Sequence, residues 1–181
     1  RLLDLNGNKL AGFVQTYRLW RGSRVLQIEV ELDTVEETRA DGWNSYYCCR
    51  FAWPDAAAEL YRSVSLGRQS ARAKRFESAH YVEIDMPQKR TSLLTGGLPF
   101  HRRVGYRMLD SLMIVRGETK RQFKLGIGLD LTHPLQDAID MMTPTMVKSQ
   151  TAAAPAPNHS SWLFHIDAKN VIATHWEPIA E

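Results

Sequence analysis

The sequence predicts an all-β fold, an antiparallel β-sandwich with one short helix. Apolar and polar residues alternate with period two in two long segments, 25–32 and 122–131, as on strands with one face in a core and one in water. Shorter apolar and aromatic runs recur between glycine-containing turn signals. Only one stretch carries the 3.6-residue period of an amphipathic helix. Many short strands with a single helix bury their apolar faces best as two stacked sheets.

Along the chain, residues 12–20 (GFVQTYRLW) read as a strand and 21–23 (RGS) as its turn. In the returning arm Leu26, Ile28, Val30 and Leu32 alternate with Val25, Gln27, Glu29 and Glu31, so the two arms form a long hairpin. Weaker strands are expected at 46–53, 60–67 and 80–86, with one helical turn over 56–59. Residues 112–115 are apolar on both faces, as in a central strand, and RGETK at 116–120 is turn chemistry, so 110–131 is expected to form a second hairpin. Pro134 suits a first helical turn, and Leu135, Ile139 and Met142 fall at i, i+4, i+7, which predicts a helix over 133–142.

From residue 143 the composition shifts to alanine, proline and small polar residues, the signature of a flexible connector over 143–160. The strands SWLFHID and NVIATHW, joined at Ala168 and Lys169, cannot stand alone in water as an isolated hairpin. The expected organisation is a main sandwich over 1–142, the connector over 143–160, and a C-terminal hairpin over 161–181 that returns to the sandwich.

Composition removes several function classes. The 181 residues suffice for one sizeable core. With 24% charged residues and no long apolar run, no membrane partner is expected. The 23 basic residues are nearly balanced by 20 acidic ones, and the densest basic run, GRQSARAKR at 67–75, has no aromatic platforms between its charges, so nucleic acid is not an expected partner. Cys48 and Cys49 are sequence neighbours and point to opposite faces of a strand, which suits neither a zinc knuckle nor an unstrained disulfide; they read as small buried residues. Arg1 rather than methionine heads the sequence, which is taken as the mark of a fragment.

The chemical motifs are few. The six histidines include no HExxH and no pair at metal-ligand spacing, so no metal is assigned. There is no G-x-S-x-G nucleophile elbow, and GIGLDL at 126–131 lies inside an alternating strand, where its glycines mark close backbone approach or a flat ligand-facing patch. No catalytic residue is assigned. The best binding candidates are His101, Arg103 and Arg107, which with Gly105 would share one face of an extended segment and offer fork-shaped donors for carboxylates or sugar hydroxyls.

Three segments carry a family resemblance. VQTYRLWRGSRVLQIEVELD at 14–33 resembles a hairpin in the C-terminal half of family 38 glycoside hydrolases, the α-mannosidases. LLTGGLPFHRRVGYRMLDS at 93–111 is similar to the family stretch that leads into an arginine pair, and SWLFHIDAKNVIATHWEPIAE at 161–181 to its segment near the chain end. They occur in the family's order. The resemblance implies a non-catalytic part of the large C-terminal β-sandwich, similar to the galactose-mutarotase-like supersandwich, packed against an N-terminal catalytic domain of the same chain. It places the zinc and the catalytic aspartate in that domain, so no cofactor is expected in these residues, and it makes carbohydrate a partner. Arg107, in VGYRMLD, is the nearest match to the family's cleft-facing arginine, while the preceding turn is the apolar GGLPF rather than an acidic one. Two rival readings come from other classes. A free-standing carbohydrate-binding module would use the faces of Trp20, Trp43, Trp53, Trp162 and Trp176, and a structural interaction domain would expose an apolar face.

Overall fold

The computed structural model describes residues 1–143, 166–168, 170–173 and 177. The chain divides into two compact units, 1–142 and 143–181. The first contains twelve strands and one helix: β1 (Leu2–Leu3), β2 (Lys9–Leu19), β3 (Val25–Thr34), β4 (Tyr47–Ala52), β5 (Glu59–Val64), β6 (Gly67–Ser70), β7 (Arg75–Glu77), β8 (Tyr81–Met86), β9 (Lys89–Leu94), β10 (Phe100–Val104), β11 (Met108–Ile114), β12 (Gln122–Leu129) and α1 (Pro134–Met142). They form an eight-stranded sheet in the order β1-β2-β3-β12-β9-β8-β5-β6 and a four-stranded sheet in the order β4-β11-β10-β7, with every pairing antiparallel. This is the all-β sandwich the alternation predicts.

The core lies between the sheets. Ile28, Val30, Leu32, Phe123 and Leu125 of the large sheet meet Met113, Ile114, Tyr47 and Cys49 of the small one. Leu60, Val82, Ile84 and Leu93 meet Phe51, Phe76 and Leu109. Leu109 and Leu125 are almost wholly removed from water, worth about 2 kcal/mol each. The opposite face of the large sheet carries a third cluster, in which Tyr81, Leu94 and Leu131 pack on Ala138 with Leu135 and Met141. The helix packs Leu135, Ala138 and Met141 on the sheet, of which Leu135 belongs to the expected row, while Met142 is exposed. The expected row treated alanine as neutral, whereas Ala138 is the fully buried residue of the helix. A Cβ added at Gly126 would lie 3.1–3.2 Å from Val25, Leu94 and Met141, so close packing explains this glycine of the GIGLDL strand.

Three expectations need correction. Residues 110–131 do not form a hairpin, because β11 is paired on both edges by β4 and β10, and β12 by β3 and β9. RGETK is a turn, with the Glu118 N–H donating to the Val115 carbonyl (3.1 Å), but it carries the chain from one sheet to the other. The predicted strand 60–67 ends at Val64, and Ser65 and Leu66, both at positive φ, make a tight turn into β6. Residues 56–59 give a turn at Asp55 rather than a helix. In the second unit the Val171 N–H donates to the Ala168 carbonyl (3.1 Å) at the predicted turn. The connector expected at 143–160 lies outside the described residues from 144 onward, as does most of the hairpin expected at 161–181.

Candidate functional site

The small sheet is organised around β10 and β11. The chain reaches β10 through Thr95-Gly96-Gly97, where Gly96 has φ +59° and an added Cβ would sit 1.8 Å from the Lys124 carbonyl oxygen. Only glycine fits there. The crossover between β9 and β10 thus holds a backbone-on-backbone contact that fixes where the chain leaves the large sheet.

His101, Arg103 and Arg107 do not share an extended face, because Gly105 at φ +64° turns the chain between the last two. His101 is fully buried. Its Nε2 lies 2.9 Å from the Ser78 carbonyl, an acceptor only, so Nε2 carries the hydrogen; Nδ1, 3.0 Å from Ser111 Oγ, accepts from that hydroxyl. Burial lowers the imidazole from 6.5 to about 4 against the opposing pull of the Ser78 carbonyl, which keeps it neutral, and the ring stacks on Phe76 at 5.6 Å. His101 is an internal strut joining β10, β11 and the Ser78 turn. Arg103 braces the hairpin, donating from Nη2 to the Tyr106 carbonyl (3.2 Å).

Arg107 lines open space. With Ala52, Trp53, Pro54, Tyr106 and Met108 it borders a surface groove of about 550 Å³ beside the β4–β11 edge. Its Nη1 donates to the Pro54 carbonyl (3.1 Å), and the Trp53 N–H donates to the Arg107 carbonyl (3.1 Å), so both walls are tied together. Tyr106 is 77% exposed, while the Trp53 ring is buried and its Nε1–H has no hydrogen-bond partner. The groove offers the exposed Tyr106 ring and a guanidinium anchored at one nitrogen, a combination suited to a ring bearing hydroxyls, while the Trp53 indole nitrogen is buried behind its wall.

On the outer face of the same sheet, Arg50, Asp110 and Arg102 lie in register across β4, β11 and β10. Asp110 is fully buried; Arg50 grips it through Nε (2.6 Å) and Nη2 (2.9 Å), and the Tyr46 hydroxyl donates to Oδ2 (2.8 Å). Burial would raise this carboxyl, but the Arg50 fork and Tyr46 outweigh it and hold it below the ordinary carboxylate value. Arg102 donates to the Trp43 carbonyl (2.7 Å), and Trp43 meets Phe100 edge-on at 5.9 Å. Burial and the Asp110 charge push the Cys48 thiol up to about 12, and the same causes push Cys49 up to about 11, so both are inert at neutral pH. With the Asp110 carboxylate held by Arg50 and Tyr46, this cluster is a structural lock.

Sequence reasoning did not find Trp53 and Tyr106 as partners of Arg107, because β4–β11 pairing brings them together from distant positions. A usable signal did mark Asp110: a single carboxylate inside the apolar run MLDSLMI must find a buried partner. No protein-family model matches the chain, and no curated protein matches it significantly.

Proposed function

We propose that the chain is a non-catalytic β-sandwich of an α-mannosidase-like glycoside hydrolase, whose Trp53–Tyr106–Arg107 groove contacts carbohydrate and completes the cleft of a catalytic domain on the same polypeptide. The observation that carries this reading is the groove itself: Arg107, the residue matched to the family's cleft-facing arginine, lines the space bordered by two aromatic residues. The three ordered segments of resemblance supply the parent class. The zinc that the resemblance implies belongs to the catalytic domain. Among the described residues no group of three His, Cys, Asp or Glu side chains is placed to hold a metal, and the reading routes no step through one.

The experiment is kcat/KM of the full-length protein toward an aryl mannoside for Arg107→Ala beside the melting temperature of the same variant. Loss of a positioned charged donor should cost about 2–4 kcal/mol of transition-state binding with the melting temperature held. Unchanged catalysis in a stable variant would reduce Arg107 to a turn residue. A free-standing carbohydrate-binding module is the second reading. It is favoured by Trp20, which stands exposed at the β2–β3 turn and offers an alternative stacking face.

A further inference from the structure

The β2 edge of the large sheet is open. β1 pairs with β2 only at Lys9 and Ala11, and among the described residues nothing pairs with the outer edge of β2 beyond Ala11. The free backbone groups there can be assigned. The Leu10 carbonyl accepts from Val35 on the β3 side, and the β2–β3 register runs unbroken from Ala11 to Leu19. Even-numbered residues of β2 therefore bond β3, and Phe13, Gln15, Tyr17 and Leu19 direct their N–H and C=O groups outward.

This edge lacks the usual guards against strand pairing. It has no proline and no bulge between 11 and 19, and its two charges are engaged with β3, Lys9 with Asp33 and Arg18 with Glu29. Its side chains are apolar and wet: Val14 is 62% exposed, Tyr17 57% and Leu19 67%. Phe13, Tyr17 and Leu19 stand on the same sheet face as Ala11, Ile28, Val30 and Leu32, and so continue the core face past its cover.

We propose that Phe13–Leu19 is a strand-addition site for an extended peptide segment with apolar residues at alternate positions, running antiparallel to β2. Such a segment lies in line with β1, already seated on the same edge with the same polarity, so it extends an existing ladder without displacing any strand. A second copy of β2 is barred from one of its symmetric registers. An antiparallel two-fold pairing centred on Gln15 would bring its Leu19 opposite Ala11, where Leu2 already sits. The inference does not rest on the carbohydrate groove, which lies at the β4–β11 edge.

The test is amide hydrogen exchange of the intact chain with and without a capped synthetic peptide of the β3 sequence VLQIEVELDT as probe. Saturating peptide should slow exchange at Phe13, Gln15 and Tyr17 by at least about tenfold and leave Val14 and Thr16, bonded to β3, unchanged. Gln15→Pro removes an outward N–H without breaking a β3 bond, and should abolish the effect at Phe13 and Tyr17. Tyr17→Lys, a charge at an exposed edge position, should do the same and serves should the proline variant fail to fold. No slowing at millimolar peptide would overturn the proposal. So would protection that appears without peptide and rises with protein concentration alongside a dimer in sedimentation, since the occupant would then be a second copy.

Discussion

The β10–β11 hairpin and the β2–β3 hairpin invert the usual distribution of polarity. In the first, two buried titratable groups have named partners: His101 between Ser78 and Ser111, Asp110 under Arg50 and Tyr46. In the second, large apolar groups on β2 are exposed. A buried charge that is fully paired locks a position, because every alternative arrangement leaves it unsatisfied. An exposed apolar edge fixes nothing and is free to take up another strand. The first hairpin is therefore suited to hold a groove rigidly, and the second to join another segment.

The largest effect that would sharpen this contrast is expected at the entry to β10. Gly96→Ala drives a methyl group into the Lys124 backbone at a positive φ, and should cost more than about 4 kcal/mol, read as loss of a cooperative thermal transition. A folded Gly96→Ala protein would show that the β9–β10 crossover can relax and that β10 is not held as described.

Next come two ion pairs that look alike in sequence and differ in burial. Arg50→Ala strands the Asp110 carboxylate in the interior and should cost about 3 kcal/mol in urea unfolding, whereas Arg18→Ala, which removes a surface pair with Glu29, should cost no more than about 1 kcal/mol. Equal costs would erase the distinction between the hairpins.

A pH series follows from His101. Its folded value of about 4 lies below the ordinary 6.5, so between those values the unfolded chain binds a proton that the folded chain refuses. Stability should thus fall as pH is lowered from 6.5 to 4, by on the order of 3 kcal/mol. The Asp110 contribution, with its folded value held low, persists through that window and is lost only as pH falls below its ordinary 3.8. His101→Gln should flatten the slope between pH 6.5 and 4; an unchanged slope would place the titrating group elsewhere.

Much of the fold was legible because burial on one face writes itself into alternation. The core row Ile28, Val30 and Leu32, and Phe123 with Leu125, follow directly from it. β9 was not legible and β10 only as an extended segment, since buried Ser92, Thr95 and His101 break the apolar pattern, Thr95 and His101 with carbonyl partners at Ala79 and Ser78. The change of sheet at RGETK was equally hidden: turn chemistry reports a reversal, not which strands the two arms will pair with. Among the site residues, Arg107 lay within reach of sequence, but the groove did not, because Trp53 and Tyr106 meet only through the β4–β11 register.

The central claim, that the groove and not the β2 hairpin contacts carbohydrate, is tested most directly by titrating the protein with methyl α-mannoside and mannobiose while following tryptophan indole N–H resonances. The account predicts a saturable millimolar shift of the indole N–H resonance of Trp53, which borders the groove, lost in both Tyr106→Ala and Arg107→Ala, with Trp20 unmoved. A shift confined to Trp20, or none at any indole, would contradict it.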